Sequence, residues 1–457
     1  MCSSVSGIFR KATPERLFLL VYIPLVLAMM LVMPIGRPPD EQAHLRQAWL
    51  LSTGQIRTDT VTFPENLREI LTDTDDFEND SLEIGTLWDV RISMETVTEQ
   101  QNEATGIYPL AAYLPQALMM FLARLFTDRI LILLYSTRVG SMLITSLLFY
   151  FAVRHSPAGK YILLAVACLP LTLQEAASAS CDGMTIAGIC WVLAEMLRRI
   201  YNINLDRPIR SLGICAGMGI CVVLCKLLYA PVLLLGIMPF VPAGLGKTRK
   251  RRGNLMLVSS FLAALLIWYF FSVRPLAGQQ GKTADALIRL NKLSANPLSL
   301  FEMQIRTLIS CSPGWIRQLF GVFGRLNIFT PVSIAVPLAF FFLGIALTDS
   351  GTEALSLDKK QSCLIRFLLI LIVFMSWMLL SGSLLIWWTK EGSPLIEGIQ
   401  GRYFLPCLFC LLICLPTIRM EQPEDKQRFT SAALRNILLV LYLGFSAATI
   451  IWLGTHL

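Results

Sequence analysis

The feature that most restricts this chain is a succession of apolar runs, sixteen residues or longer, broken by short basic segments. The first, 17–34, is long enough to cross the hydrocarbon of a bilayer. Within lipid every backbone N–H and C=O must be satisfied by the segment itself, so such runs read as helices. The fold class expected is an all-α polytopic membrane protein. Composition agrees, since 55% of the 457 residues are hydrophobic, more apolar surface than a soluble chain of this length can hide. The net charge of +8 needs no polyanionic partner. Lys and Arg crowd into the short loops, as membrane insertion requires, and no basic stripe with interleaved aromatics points to nucleic acid.

Orientation follows from the same basic residues. Arg10, Lys11 and Arg16 precede the first run, and only Met33-Pro34-Ile35-Gly36 follows it, which is no small-x-small cleavage site. An uncleaved signal anchor with a cytoplasmic N-terminus is expected. The segment 107–126 is apolar but interrupted by Pro109 and Pro115, so it either spans or lies in the interface. If it lies flat, five basic loops fall on the cytoplasmic side: Arg154/Lys160, Arg198 to Arg210, Lys247 to Arg252, Lys359-Lys360-Arg366, and Arg419 to Arg435. That agreement selects the interfacial helix. The run 211–243 would make one helix of roughly 50 Å. Its basic flanks require instead a hairpin, 211–225 and 228–243, with Lys226 at the outer tip. The remaining spans are 130–152, 161–176, 183–197, 254–273, 331–347, 364–386, 404–418 and 436–454, making about eleven in one membrane domain over 1–457. Two larger outer loops stand out. One, 35–129, carries the interfacial helix and an acidic run at 73–83; the other is 274–330, in which 312–324 reads as re-entrant or interfacial.

Chemistry concentrates where the first run ends, at Arg37-Pro38-Pro39-Asp40-Glu41-Gln42-Ala43-His44. The paired prolines stop the helix, and Asp40 and His44 share a face if a helix restarts there. The topology brings Arg138, Glu175, Asp182, Lys226, Lys390, Arg402 and Tyr403 to the same membrane face. Ionisable groups at that depth are costly unless paired or functional. Carboxylates there can activate a hydroxyl and cations can hold a phosphate. The bland reading is a polar collar of snorkelling Lys and Arg with stray acids. Three His residues are too few for a His-based metal cluster, whereas Asp40, Glu41 and Asp182 together could hold a divalent ion. Most of the 12 cysteines lie in apolar runs as small hydrophobes, including the Cys407-x-x-Cys410 pair; Cys181 and Cys311 fall in outer loops, paired or free. Trp387 and Trp388 read as an interfacial belt, with sugar stacking as the lesser alternative.

Four short motifs occur in order over nearly the whole chain. They are Pro38-Pro39-Asp40-Glu41-x-x-His44, Ser178-x-Ser180-x-Asp182, Lys226-x-x-Tyr229-x-Pro231, and Gln400-Gly401-Arg402-Tyr403-Phe404-x-Pro406. The set resembles a bacterial family of multi-spanning membrane proteins of unknown function that is grouped with the GT-C glycosyltransferases. Gln42 stands where that family often has proline. The resemblance implies a GT-C-like bundle with membrane-surface helices in its first outer loop, in the bacterial plasma membrane. It implies transfer from a polyprenyl-phosphate-linked sugar on the outer face to a lipid or cell-surface glycan acceptor. By it Asp40 would be the base, Asp182 the second acidic position, and Arg402 and Lys226 the donor-phosphate ligands. Glu41 joins the catalytic candidates, and His44, Arg138, Gln400 and Tyr403 the substrate-binding ones. A transporter or flippase of lipid-linked oligosaccharide and a polysaccharide polymerase or ligase stay open as alternatives. A transporter would show repeat symmetry and charges at the bilayer midplane, and neither is evident. The polymerase or ligase shares the outer site.

Overall fold

The computed structural model describes residues 13–55, 60–71, 87–100, 110–200, 208–237, 262–263, 265–266, 297–349, 359–416 and 424–457. The expected span 254–273 lies almost wholly outside the described residues, as do the end of 228–243, the basic loop 247–252, the acidic run 73–83 and the first part of 274–330.

The chain is a helical membrane protein. Among the described residues four helices are long and apolar enough to cross a bilayer: Pro14–Val32 (α1), Ile130–His155, Lys359–Trp387, and Ser431–His456 within the longer Glu424–His456. Leu364, Phe367, Ile370, Phe374 and Leu379 stand exposed along Lys359–Trp387, an arrangement that lipid tolerates and water does not. Lys160–Ala167 and Pro170–Ala177 are two helices meeting at 62°. The single helix expected at 161–176 is therefore broken, because Pro170 removes a backbone donor and bars the helical conformation at Leu169. The expected hairpin at 211–243 appears as helix Pro208–Cys225 followed by a 3-10 segment, Leu227–Ile237, which contains Pro231. Lys226 sits at the break between them. Val332–Thr348 packs against Glu424–His456, and Ile130–His155 against Asp182–Ile200.

The first long loop has structure of its own. Helix Glu41–Ser52 (α2), an antiparallel ribbon of Thr60–Pro64 with Thr96–Gln100, and helices Glu65–Leu71 and Leu114–Arg124 enclose a small core. Leu45, Trp49, Phe63, Leu67 and Met120 fill it, seated on Leu131 and Leu134 of the following span. Leu114–Arg124 has 11 residues, roughly 16 Å and about half the hydrocarbon thickness, too short to span. The ribbon, and a second one of Val322–Phe323 with Ile328–Phe329, are β elements that the helical reading did not include. The segment 312–324, expected to be re-entrant or interfacial, completes a continuous helix, Pro297–Gly321, and opens that second ribbon.

Two ionic clusters mark the two ends of the bundle. At one end Lys160 pairs with Glu15 at 2.5 Å, and Arg198 with Glu195 at 2.9 Å. There Asp349 accepts from the N–H groups of Tyr161 and Ile162 and faces Arg435. The other end carries the long loop and the residues singled out above.

Candidate functional site

The site grows out of the chain's exit from α1. Past Val32, Pro34, Pro38 and Pro39 forbid helix, and Gly36 takes φ +83° to turn the chain back. Asp40 also adopts a left-handed conformation, φ +60°, which costs energy for most side chains and least for Asn and Asp. That one residue sends the two neighbouring acids to different places.

Asp40 points to Arg402, with Oδ2 2.5 Å from Nη2. Its side chain is 63% exposed, whereas that of Arg402 is 5% exposed. Arg402 also donates from Nη1 to the Pro39 carbonyl at 3.3 Å, and the same nitrogen lies 3.9 Å from Asp182 Oδ2. Asp182 opens helix Asp182–Ile200 and forms an ion pair with Lys226. Lys226 and Arg402 both lie over the Tyr403 ring, at 5.1 and 5.3 Å. Asp40, Asp182, Lys226, Arg402 and Tyr403, up to 363 positions apart in sequence, thus form one contiguous cluster. The protein groups around its inner side partly desolvate the Asp40 carboxyl and raise it, but the Arg402 guanidinium outweighs this and holds the group below the usual carboxylate range.

Glu41 goes inward. Its carboxylate takes Arg138 Nε and Nη2 in a fork at 2.8 and 2.7 Å and accepts from the N–H groups of Gly36 and Ala179. Arg138 spends its remaining donors on the carbonyls of Met30, Met33 and Pro34 at the end of α1. With both side chains essentially unexposed (0% and 1%), this pair is a clamp tying α1, the 178–181 turn and Ile130–His155 together. The geometry favours a structural role over the expected reaction at Glu41 and substrate binding at Arg138, because the four bonds to Glu41 occupy its lone pairs.

His44 lies one turn into α2, with Nδ1 2.9 Å from the Tyr113 hydroxyl and Nε2 3.3 Å from Ser180 Oγ. Those bonds tie the segment leading into Leu114–Arg124 to the turn before Asp182. Burial pushes the imidazole down to about 4, against the pull of Asp182 and Asp40 and with the help of Lys226 and Arg402. A folded-state value below the ordinary 6.5 means the neutral ring stabilises the fold fully above pH 6.5, and that support fades as pH falls toward 4. Wild-type protein is expected to lose on the order of 3 kcal/mol over that window through this group. In His44→Gln the loss between pH 6.5 and 4, read as thermal midpoint against pH, should be visibly shallower.

The turn at 399–401 sets Arg402 in place. The Gly401 N–H donates to Gln318 Oε1 at 2.5 Å, and Trp315 Nε1 donates to the Ile399 carbonyl at 3.0 Å. A methyl group on Gly401 would stand 2.7 Å from Gln318 Cβ and 2.8 Å from the Trp315 carbonyl. Gly401→Ala should therefore cost roughly 1–3 kcal/mol by displacing the turn, read as a lower thermal midpoint. Among the described residues, Arg402 Nε, Gln400 Oε1 and Glu175 Oε2 are buried at this site without a hydrogen-bond partner.

Two contributors escaped the sequence reading. Arg325, in the ribbon turn between Val322–Phe323 and Ile328–Phe329, bonds to Gln42 and, at 3.3 Å, to the Gly36 carbonyl. Gln174 accepts from the Gly324 N–H at 2.8 Å. The glycine–asparagine turn between apolar pairs, Gly324-Arg325-Leu326-Asn327, was the available signal for that ribbon. Lys390 stands exposed in the 388–400 loop, its N–H 3.3 Å from Glu397, and no contact joins it to the cluster. Cys181, Cys311, Cys407 and Cys410 are all free thiols.

The residues do not fit the divalent ion considered for Asp40, Glu41 and Asp182. Each carboxylate already faces its own cation, Arg402, Arg138 and Lys226 respectively, and Glu41 is directed away from the other two. Among the described residues no three His, Cys, Asp or Glu side chains form a metal-holding group.

A helical membrane bundle with buried acid–cation pairs gathered under its first long loop defines a class of polytopic membrane protein. The chain matches the family described as "Predicted membrane protein (DUF2142)" over residues 24–411, and it belongs to that family. That match contains all four motifs quoted above. Comparison with curated proteins and with solved structures gives no match.

Proposed function

We propose that the protein is a membrane glycosyltransferase of GT-C type. It would move a sugar from a polyprenyl-phosphate donor to a lipid or cell-surface glycan acceptor, on the outer face of a bacterial plasma membrane with the N-terminus cytoplasmic. The observation that carries the reading is the pairing of an exposed carboxylate, Asp40, with a buried guanidinium, Arg402, backed by Asp182 and Lys226. Arg402 and Lys226 are the cations suited to a phosphate leaving group, Arg by its two-pronged fork and Lys as a point charge. Asp40, open to solvent, takes the proton of the acceptor hydroxyl. The acceptor oxygen forms its bond to the anomeric carbon as the bond from that carbon to the phosphate oxygen breaks, and the electron pair leaves with the polyprenyl phosphate. One displacement inverts the anomeric centre. Asp182 holds Lys226 and Arg402 in register, and Glu41–Arg138 fixes the loop from which Asp40 projects.

The test is direct. Membranes carrying the protein, supplied with radiolabelled polyprenyl-phosphate sugars, should move label from donor to a lipid or glycan acceptor. Donor that crosses proteoliposomes intact, with no label transferred, would favour the transporter reading and overturn this one.

A further inference from the structure

Asp40 combines exposure, backbone strain and an incomplete ion pair. The Nε and Nη2 atoms of a guanidinium form one edge, shaped to receive two oxygens side by side. Asp40 places a single oxygen on that edge, at Nη2. Nε, buried beside it, has no hydrogen-bond partner among the described residues. The other edge is occupied differently, with Nη1 on the Pro39 carbonyl and toward Asp182. Arg402 is therefore a buried cation with half a fork unused, and the group covering the used half is open to solvent. An ion pair exposed on one side is held weakly enough to be exchanged for a better-shaped anion.

We infer that Asp40 is the resident counter-ion of Arg402, and that a phosphate-bearing ligand displaces it by taking the whole Nε/Nη2 edge. This deepens the sugar-transfer reading and rests on it. The exchange gives the site an order. With no phosphate bound, the carboxylate is tied to a guanidinium and is a poor proton acceptor. Once a phosphate holds Arg402, the carboxylate is released on the solvent side, where an acceptor hydroxyl arrives. Donor binding thereby switches on the base, and the hydroxyl substrate binds productively second.

The consequence is counter-intuitive and measurable. Removing the resident carboxylate should strengthen phosphate binding while abolishing transfer. Asn tolerates the left-handed conformation of residue 40, and Gly adopts it freely, so Asp40→Asn and Asp40→Gly keep the turn. Binding of a polyprenyl monophosphate and, separately, of inorganic phosphate would be measured on the full-length protein in nanodiscs, with thermal midpoints confirming folding. Both variants are expected to bind both probes roughly five- to tenfold more tightly than wild type, the worth of a half-exposed ion pair. Unchanged or weaker binding in both variants overturns the exchange while leaving Arg402 as a phosphate site. A gain confined to the lipid probe also overturns it, because the exchange takes place at the headgroup. Absence of phosphate binding in wild type and variants alike would count against the sugar-transfer reading itself.

Discussion

Transfer from a polyprenyl-phosphate sugar is expected to fall by roughly 10²–10³-fold or more in Arg402→Ala, with the protein still folded and membrane-inserted. As the sugar departs, charge accumulates on the phosphate oxygens, and a fixed, desolvated cation stabilises that charge without reorganising at the moment of reaction. Arg402 meets the description: its side chain is 5% exposed, and it is held by Asp182, the Pro39 carbonyl and the Tyr403 ring. Lys226 alone would remain in Arg402→Ala, and it is already committed to Asp182. Arg402→Lys separates charge from shape. It restores a cation but not the planar fork, so it should recover only part of the loss if two-point contact with phosphate is what matters. The measurement is label transferred per folded molecule at saturating donor, with thermal midpoint as the folding control. Wild-type transfer by Arg402→Ala would remove the phosphate-binding role.

What could be read in advance divides by physical origin. Spans at 17–34, 130–152, 364–386 and 436–454 were legible because bilayer thickness fixes their length and hydropathy marks it, and helices were legible at 183–197 and 331–347. The described helices match these segments closely, except that the last one starts well ahead of 436, at Glu424. The bend at Cys168–Leu169 was not read, since a hydropathy run hides a hinge, although Pro170 marks it. The meeting of Asp40, Asp182, Lys226 and Arg402 was legible because topology alone assigns all four to one face. The difference between Asp40 and Glu41 was not legible: adjacent acids look alike on paper, and a single left-handed residue decides which faces solvent and which the bundle. Arg325 and Gln174 were missed because their contacts cross from one long loop to another, a distance that residue spacing does not encode.

That division yields a second large effect, on stability rather than chemistry. Glu41→Ala is expected to destabilise the protein by roughly 3–5 kcal/mol, because it strands a guanidinium that is 1% exposed and has lost its carboxylate fork. The three carbonyls that Arg138 also holds, at Met30, Met33 and Pro34, satisfy its donors but not its charge. The N–H groups of Gly36 and Ala179 lose their acceptor in the same stroke. Removing both members of the pair together should hurt less than removing one. A Glu41→Leu/Arg138→Met double variant leaves no buried charge uncompensated, and its midpoint should lie above that of Glu41→Ala. The activity readout separates clamp from chemistry. Under the clamp reading, Glu41→Gln, which keeps the shape and one acceptor, loses stability but retains most transfer per folded molecule, whereas Asp40→Asn loses transfer and keeps its midpoint. Should Glu41→Gln instead melt like wild type and transfer nothing, Glu41 would belong among the reacting groups, and Asp40 would have to share or surrender the role of base.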